Sequence, residues 1–387
     1  VRGSRAYSLP QVQGEAAYVR LGPEVTFEVP TPVGPQQVTV VRGESKTATV
    51  SLSQILFSSG RVEEGIRAAR RGLEGARASF DNAVDEVLLD TRKAFYNTLR
   101  AEALVRAAQQ RLRQASEHLR VARARFEAQA VPQVEVLRAE VELADAQYQL
   151  SQAERGRELA LLALRTVMNA PAEQEIELVD EAQPEPVACS VEQCIAWARG
   201  HRKDLVALRY QIEGVRSAAK AAGAGALPSL ILNAQNQWQQ ATAFTSERSW
   251  NVLVGFSVPV FDGYLARSQA RGLERQAEQL LAQAQQVEQG IDTQARAAYL
   301  SMRAAERQLA AAEQARAQAN EVMRISQLRY EAGVAPAYEV IDAETALTAA
   351  EANRANALYD LKTAQAELAR AIGAYSLREV QQSESEE

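Results

Sequence analysis

One stretch of this chain occurs twice, and each copy interrupts a long run of residues that favour helix. The first copy, RFEAQAVPQVEVLRAE, covers residues 125–140, and the second, RYEAGVAPAYEVIDAE, covers residues 329–344 at an offset of 204. The flanking runs are rich in alanine, glutamine, glutamate and arginine, which is typical of long helices. Each copy contains a proline, Pro132 or Pro336, which is expected to end the helix because proline lacks the backbone N–H and clashes with the preceding turn. Each copy is therefore predicted to be the tip of a long helical hairpin.

Two regions of alternating side chains predict a pair of β-strands before each helical hairpin. Residues 47–53 alternate between Ser/Thr and apolar side chains, and residues 250–258 carry apolar side chains at every second position. Asn, Gln and Ser occupy much of the opposite face in the second region. This pattern is typical of a strand between lipid and water, and a strand of a soluble sandwich shows a similar one. Both interpretations remain open from the alternation alone.

The repeat divides the chain into segments. The offset of 204 holds without a gap from Phe57 to Ala170, and the helical run after residue 190 has no counterpart before Val1. The first repeat is therefore expected to lack its start, with an N-terminus that is truncated, processed or lipidated. The predicted segments are a first strand pair (1–57), a first helical hairpin (58–170), a connector (171–190), a helix (191–226), a second strand pair (227–261), a second helical hairpin (262–373) and a flexible tail (374–387).

Composition and motifs exclude several classes of function. The net charge is −6 and no basic stripe is present, which argues against nucleic acid as a partner. The sequence contains no nucleotide-binding loop, nucleophile–base arrangement or metal-ligand spacing, so we expect neither an enzyme nor a cofactor. His118 and His201 are expected to be exposed helix residues. Cys189 and Cys194 are close enough in sequence to form a disulfide in an oxidising compartment, but spacing alone does not establish the geometry, and the sequence favours two unpaired thiols at a loop-to-helix junction.

Four motifs together resemble the outer-membrane efflux proteins of the TolC type, and the resemblance covers nearly the whole chain. The motifs are SLSQILFSSG (51–60), ALPSL (226–230), FSVPVFDG (256–263) and the second tip (329–344). The resemblance implies a mainly α protein with a membrane β-barrel portion, assembled as a trimeric α/β-barrel channel-tunnel. Two strand pairs are too few for a closed membrane barrel, which has about eight strands or more, so several chains must close it. That the number of chains is three is implied by the family alone.

The same resemblance implies a function and a set of site residues. The chain would be a passive exit duct of a tripartite efflux or type I secretion system in the bacterial outer membrane, extending into the periplasm. Its partners would be two further copies, a periplasmic adaptor protein, an inner-membrane pump and outer-membrane lipid. The implied residues are Glu135, Tyr330, Glu339 and Asp342 at the pore constriction, Ala130, Val131, Pro132, Gly333, Val334 and Pro336 at the adaptor-docking tips, and Trp238 and Trp250 at the membrane interface.

Other interpretations stand beside these. The acidic residues also fit solvated helix positions, and Tyr330 also fits ordinary inter-helix packing. The two tips differ, because Gln129 and Arg138 stand where the second copy has Gly333 and Asp342. The alternative function is a periplasmic adaptor-like or structural coiled-coil protein without channel activity. Adaptors of that kind normally carry one helical hairpin, whereas two are predicted here.

Overall fold

The structure is a computed structural model. It describes residues 2–6, 8–20, 22, 25–32, 34–41, 43–171, 174, 176–179, 189–240 and 246–374. Most of the predicted connector (171–190) and nearly all of the predicted tail (374–387) lie outside the described residues. The chain forms two compact units, one from Val1–Ala78 and Val206–Gln285, the other from Ser79–Leu205 and Gln286–Glu387.

Long helices dominate the described chain, and the strands precede each helical hairpin. In chain order the elements are α1 (Arg2–Ala6), β1 (Gln11–Arg20), β2 (Val25–Thr31), β3 (Gly34–Val41), β4 (Glu44–Phe57), α2 (Arg61–Glu127), α3 (Gln133–Met168), α4 (Val191–His201), α5 (Lys203–Gly223), β5 (Ser229–Gln239), β6 (Arg248–Ser257), α6 (Leu265–Glu331) and α7 (Ala337–Ile372). The predicted mainly α fold with two repeats is confirmed. None of the described helices combines the length and the apolar character needed to cross a membrane.

The two helical hairpins have the same helix lengths. Helices α2 and α6 each contain 67 residues, and α3 and α7 each contain 36 residues. Their first and last residues are related by the same offset of 204 that the sequence shows. The repeat therefore extends from sequence to the length of each element.

The left-handed backbone positions follow the same offset. Eight residues with positive φ form four pairs, and every pair contains one glycine and one other residue. An L-residue in this conformation is strained because its Cβ approaches the following carbonyl oxygen, so its recurrence marks a bend that the fold requires. The pairs are Ser59 and Gly263, Gly60 and Tyr264, Gln129 and Gly333, and Asn169 and Gly373.

The helical run predicted at 191–226 contains two helices rather than one. Arg202 leaves the helical conformation with ψ of 117°, and α5 begins at the next residue. Its guanidinium is buried and donates hydrogen bonds to Asp204, to Gln294 and to the carbonyl oxygen of Ala371. Gly373 at the end of α7 lies against this break, because a Cβ there would be 3.0 Å from the backbone N of Arg202. The break thus places a buried cation against α6 and α7.

In the first unit, four antiparallel strands form a sheet in the order β1-β4-β5-β6. The register aligns Val12, Leu52, Ala234 and Val252 in one row, so these apolar side chains share a face. The next row contains Gln13, Ser51, Gln235 and Asn251 and lies on the other face. A separate two-stranded sheet of β2 and β3 lies between β1 and β4 in the chain.

In the second unit, small and aliphatic side chains form the core between the long helices. Ala146 and Ala198 are fully buried, and Thr98 of α2 donates a hydrogen bond to the carbonyl oxygen of Ala160 on α3. Close approach of this kind requires small side chains, which explains the alanine-rich composition. The largest fully buried side chains are Leu164, Leu205, Ile291, Met302, Leu368 and Ile372.

The Gln129/Gly333 pair generates a prediction for the helix ends. Gln129→Gly should relieve roughly 1–2 kcal/mol of left-handed strain, offset by about 0.4–1 kcal/mol of added unfolded-state entropy. Hydrogen exchange of the Gln129 and Ala130 amides should therefore slow severalfold, and the converse change, Gly333→Gln, should speed exchange at the second tip. Unchanged exchange at both tips would contradict this account.

Candidate functional site at the paired helix tips

The first tip is closed by backbone hydrogen bonds around Gln129. The Ala130 N–H donates to the carbonyl oxygen of Arg125 at 2.8 Å, and the Gln129 N–H donates to that of Phe126 at 2.8 Å. This pair of bonds, around a left-handed residue with φ of 60°, is a Schellman motif. Pro132 then forms the N-cap of α3 and accepts a hydrogen bond from the backbone of Glu135.

The second tip repeats this geometry around Gly333. The Val334 N–H donates to the carbonyl oxygen of Arg329 and the Gly333 N–H donates to that of Tyr330, both at 3.0 Å. Pro336 forms the N-cap of α7. The expectation that the prolines end the long helices is therefore wrong. A left-handed residue ends each helix first, and the proline, whose missing N–H is not needed at a helix start, begins the next one.

The predicted docking residues all lie in these two turns. Ala130, Pro132, Gly333 and Pro336 are exposed, and Val131 is half-buried. Val334 is 71% exposed, which is high for an apolar side chain. The structure therefore presents small and apolar groups at both tips.

The predicted residue Tyr330 contacts the first helical hairpin. An Nη1–H of Arg125 donates a hydrogen bond to the Tyr330 hydroxyl, and the guanidinium carbon lies 4.5 Å from the centre of the ring. This combines a charge-assisted hydrogen bond with a cation–π contact. Arg125 belongs to α2 and Tyr330 to α6, so the pair joins the two hairpins close to their tips. Sequence reasoning did not include Arg125 among the site residues, because arginines are frequent along the whole helix.

The same arginine position makes a different contact in the second copy. Arg329, the counterpart of Arg125, pairs with Glu339 of α7 at 3.0 Å. Phe126 stands where the second copy has Tyr330 and has no hydroxyl to accept a hydrogen bond. The two tips are thus alike in backbone and unlike in polar contacts.

The predicted acidic residues do not converge within one chain. Glu339 is engaged by Arg329, Glu135 is half-buried, and Asp342 is exposed. Glu135 and Tyr330 both line a cavity of about 660 Å³ between the hairpins, and Glu339 and Asp342 are not among its lining residues. The cavity wall carries both signs of charge, from Arg113, Arg125, Arg138, Glu117, Glu135 and Glu344.

A partly buried titratable cluster forms one side of this cavity. His118 of α2 lies 3.1 Å from a carboxylate oxygen of Glu344 on α7, and Glu344 is buried. The expectation that His118 is exposed is therefore wrong, because α7 covers that face of α2. Glu142 of α3 adds a buried oxygen, Oε2, that has no hydrogen-bond partner among the described residues. Nearby Asp145 is paired with Arg111 of α2 at 3.0 Å.

The surroundings shift two pKa values in this cluster. The hydrogen bond to Glu344 raises the pKa of His118, outweighing burial, and the charges of Glu344, Glu142 and Glu117 raise it further. Burial raises the pKa of Glu142, and the charge of His118 opposes this shift. Both shifts mean that the cluster favours bound protons.

The two predicted interface tryptophans lie on the apolar face of the sheet. Trp250 is 78% exposed and is aligned with Val50 and Asn236, and Trp238 is half as exposed and is paired with Arg248. Tryptophan is enriched where a membrane meets water, because the ring is apolar and its N–H is polar.

Solved structures identify the class of fold. The CmeC outer membrane channel of Campylobacter jejuni matches with a TM-score of 0.73 at 16% identity, over 99% of this chain and 83% of CmeC. The outer membrane protein VceC of Vibrio cholerae matches with a TM-score of 0.73 at 18% identity, over 96% of this chain and 89% of VceC. The MtrE outer membrane channel of Neisseria gonorrhoeae, in an open state, matches with a TM-score of 0.72 at 20% identity, over 96% of this chain and 82% of MtrE. The fold is therefore that of the TolC-type outer-membrane channels.

The family follows from the sequence match. The family model described as outer membrane efflux protein matches residues 1–170 and 195–374, so the chain belongs to that family. Protein CyaE of Bordetella pertussis is 25% identical over 306 residues, which is 76% of this chain. The chain spans 64% of the length of CyaE. Members of this family reside in the bacterial outer membrane and extend into the periplasm, and so does this chain.

The His118 cluster generates a pH prediction. Because the folded pKa of His118 is raised above its ordinary value of about 6.5, its contact with Glu344 stabilises the fold fully below pH 6.5 or so and is lost as pH rises through the raised value. The Tm difference between the parent protein and His118→Gln should therefore be largest in mild acid and shrink in alkali. His201→Gln is the control because His201, at the end of α4, is exposed, and an identical pH dependence in both variants would contradict the assignment.

Proposed function

We propose that this chain is one protomer of a homotrimeric exit duct in the outer membrane. The duct passively conducts substrates delivered by an inner-membrane pump through a periplasmic adaptor, as part of a tripartite efflux or type I secretion system. The observation that carries the proposal is the four-stranded sheet with one apolar and one polar face. Family membership and the similarity to CyaE and to solved outer-membrane channels support it.

The two faces of the sheet suit lipid on one side and water on the other. On the apolar face Trp250, Val252, Val254 and Phe256 are all more than half exposed. A patch of this kind is costly in water and favourable in hydrocarbon. The other face carries Asn233, Gln235 and Gln237 together with Asn251, which fits a wet interior.

The edges of the sheet favour closure by further copies. Strands β1 and β6 are the outer strands, and each pairs with one neighbour within the described residues. Unpaired edge groups in lipid cost several kcal/mol each in the absence of water. Because the sheet has an even number of antiparallel strands, β6 of one copy runs opposite to β1 of the next. A ring of copies therefore continues the antiparallel pattern and removes every edge.

Adjacent residues of β6 offer a matched test of this arrangement. Val252→Arg places a charge on the lipid-facing side and should destabilise the inserted barrel by about 2–4 kcal/mol near the bilayer centre. Asn251→Arg places the same charge on the wet side and should have little effect. The measurement is the yield of heat-resistant trimer in the outer-membrane fraction. Equal losses in both variants would argue against a membrane barrel and favour the adaptor-like alternative.

We further propose that the tips gate the duct, and that the contact between Arg125 and Tyr330 holds the two hairpins together in the closed state. Separation of α6 from α2 would open the periplasmic mouth as a movement of rigid helices. The contact suits this role because it is polar and only partly buried.

Tyr330→Phe tests the gate with a minimal change. The variant keeps the ring and loses the hydroxyl, so about 1–3 kcal/mol of the closed-state contact should be lost. Single-channel recordings in planar bilayers should show an open probability at least severalfold higher than in the parent protein. Tyr338→Phe is the control, because Tyr338 is an exposed tyrosine of the same tip. Silent channels in the parent and both variants would overturn the duct itself, whereas equal activity in all three would overturn only the latch.

A further inference from the structure

We infer that Cys189 and Cys194 form an intramolecular disulfide in the mature protein. The two sulfur atoms are 2.8 Å apart, and both side chains are buried, Cys194 completely. An S–S bond of about 2.05 Å therefore requires only a small further approach. The 387-residue sequence contains two cysteines, and these are the two whose sulfur atoms lie together.

The backbone between the cysteines holds them in this position independently of any bond. Ser190 is the N-cap of α4, and its hydroxyl accepts a hydrogen bond from the Gln193 N–H. The Gln193 side chain accepts one from the Ser190 N–H in return, which completes a capping box. The Cys194 N–H donates to the carbonyl oxygen of Ser190 at 3.1 Å. The first turn of α4 thus brings Cys189, which precedes the N-cap, against Cys194, which follows the N-cap by four positions.

The compartment supplies the oxidant. The chain belongs to an outer-membrane family that extends into the periplasm, and the periplasm maintains disulfides. The reaction is thiol–disulfide exchange with the disulfide of a periplasmic thiol oxidase. One cysteine thiolate attacks that disulfide and forms a mixed disulfide, and the second thiolate displaces the oxidase sulfur. Two thiols thereby lose two protons and two electrons, and the oxidase disulfide is reduced to a dithiol.

Because both sulfur atoms are buried, the disulfide must form before folding is complete. Neither sulfur is accessible once α4 is packed, so the exchange must occur before or during folding. Afterwards the bond is shielded from small reductants for the same reason. The assignment is therefore a permanent structural bridge and not a reversible redox switch.

The bridge would anchor the chain where it returns to the helices. Helix α4 is fixed to α6 by Arg199, whose Nε donates to Asp292 at 2.8 Å. The adjoining Arg202 is fixed to α6 and α7 through Gln294 and the Ala371 carbonyl oxygen. A bond between Cys189 and Cys194 would also attach Cys189, the residue before the N-cap, to this fixed helix. Because it closes a short loop, its main effect is local.

Thiol labelling of the protein as it exists in the outer membrane tests the inference. The full-length protein is purified from outer membranes, unfolded in urea with N-ethylmaleimide present, and analysed by intact mass spectrometry. We expect no label without prior reduction and labelling of both cysteines after reduction. The same protein from a host lacking the periplasmic thiol oxidase should be labelled on both cysteines without reduction. Labelling of both cysteines in the normal host would overturn the inference.

Two further measurements distinguish this bridge from one between chains and from a turn that is held without a bond. A bridge between chains would give covalent dimers on non-reducing gels in urea, and that result would also overturn the inference. In the double variant Cys189→Ser, Cys194→Ser, hydrogen exchange of the Gln193 and Cys194-position amides should accelerate severalfold relative to the oxidised parent. Identical exchange in the oxidised parent, the reduced parent and the double variant would show that no bond constrains this turn.

Discussion

The constraint on which the paired tips depend is the left-handed residue that ends each long helix. Gln129 and Gly333 occupy the same position in the repeat, and so do Asn169 and Gly373. Because these residues set where the chain reverses, α2 and α6 have one length and α3 and α7 another. Equal lengths bring Arg125 of α2 to the level of Tyr330 of α6, one residue beyond the repeat offset. A longer or shorter helix in one copy would remove that contact without changing either side chain.

The two tips have the same backbone geometry but different side chains, so their polar contacts differ. Arg125 reaches across to the second hairpin, whereas Arg329 stays within its own hairpin on Glu339. His118 faces the buried Glu344, while the equivalent position in the second copy is Val322. These two polar contacts therefore join α2 of the first hairpin to α6 and α7 of the second. The equivalent positions in the other copy, Phe126 and Val322, have neither the tyrosine hydroxyl nor the histidine and could not form them.

In the four-stranded sheet, the side chains that a regular backbone presents on its two faces also differ in character. The register aligns apolar residues of all four strands in one row and polar residues in the next, so one face is mainly apolar and the other mainly polar. That separation, together with outer strands β1 and β6 that each have one neighbour within the described residues, supports the proposal that the strands lie in a membrane as part of a ring. The alternation was readable along each strand, but the alignment of the rows required the pairing.

The sequence by itself determined the repeat, the four long helices, the strand pairs and the family, because their signals are local periods of two or about 3.6 residues and a constant offset. It placed the tips correctly and assigned their prolines the wrong role, since a left-handed Gln129 leaves no mark in residue type. Only the tertiary structure decided that Arg125 contacts Tyr330 and that His118 is covered by Glu344, because these partners are 205 and 226 residues apart. It also decided that Arg202 breaks the helix and that the sulfurs of Cys189 and Cys194 meet. Each of these depends on which helix faces pack together, and that choice is made by the whole bundle rather than by any one segment.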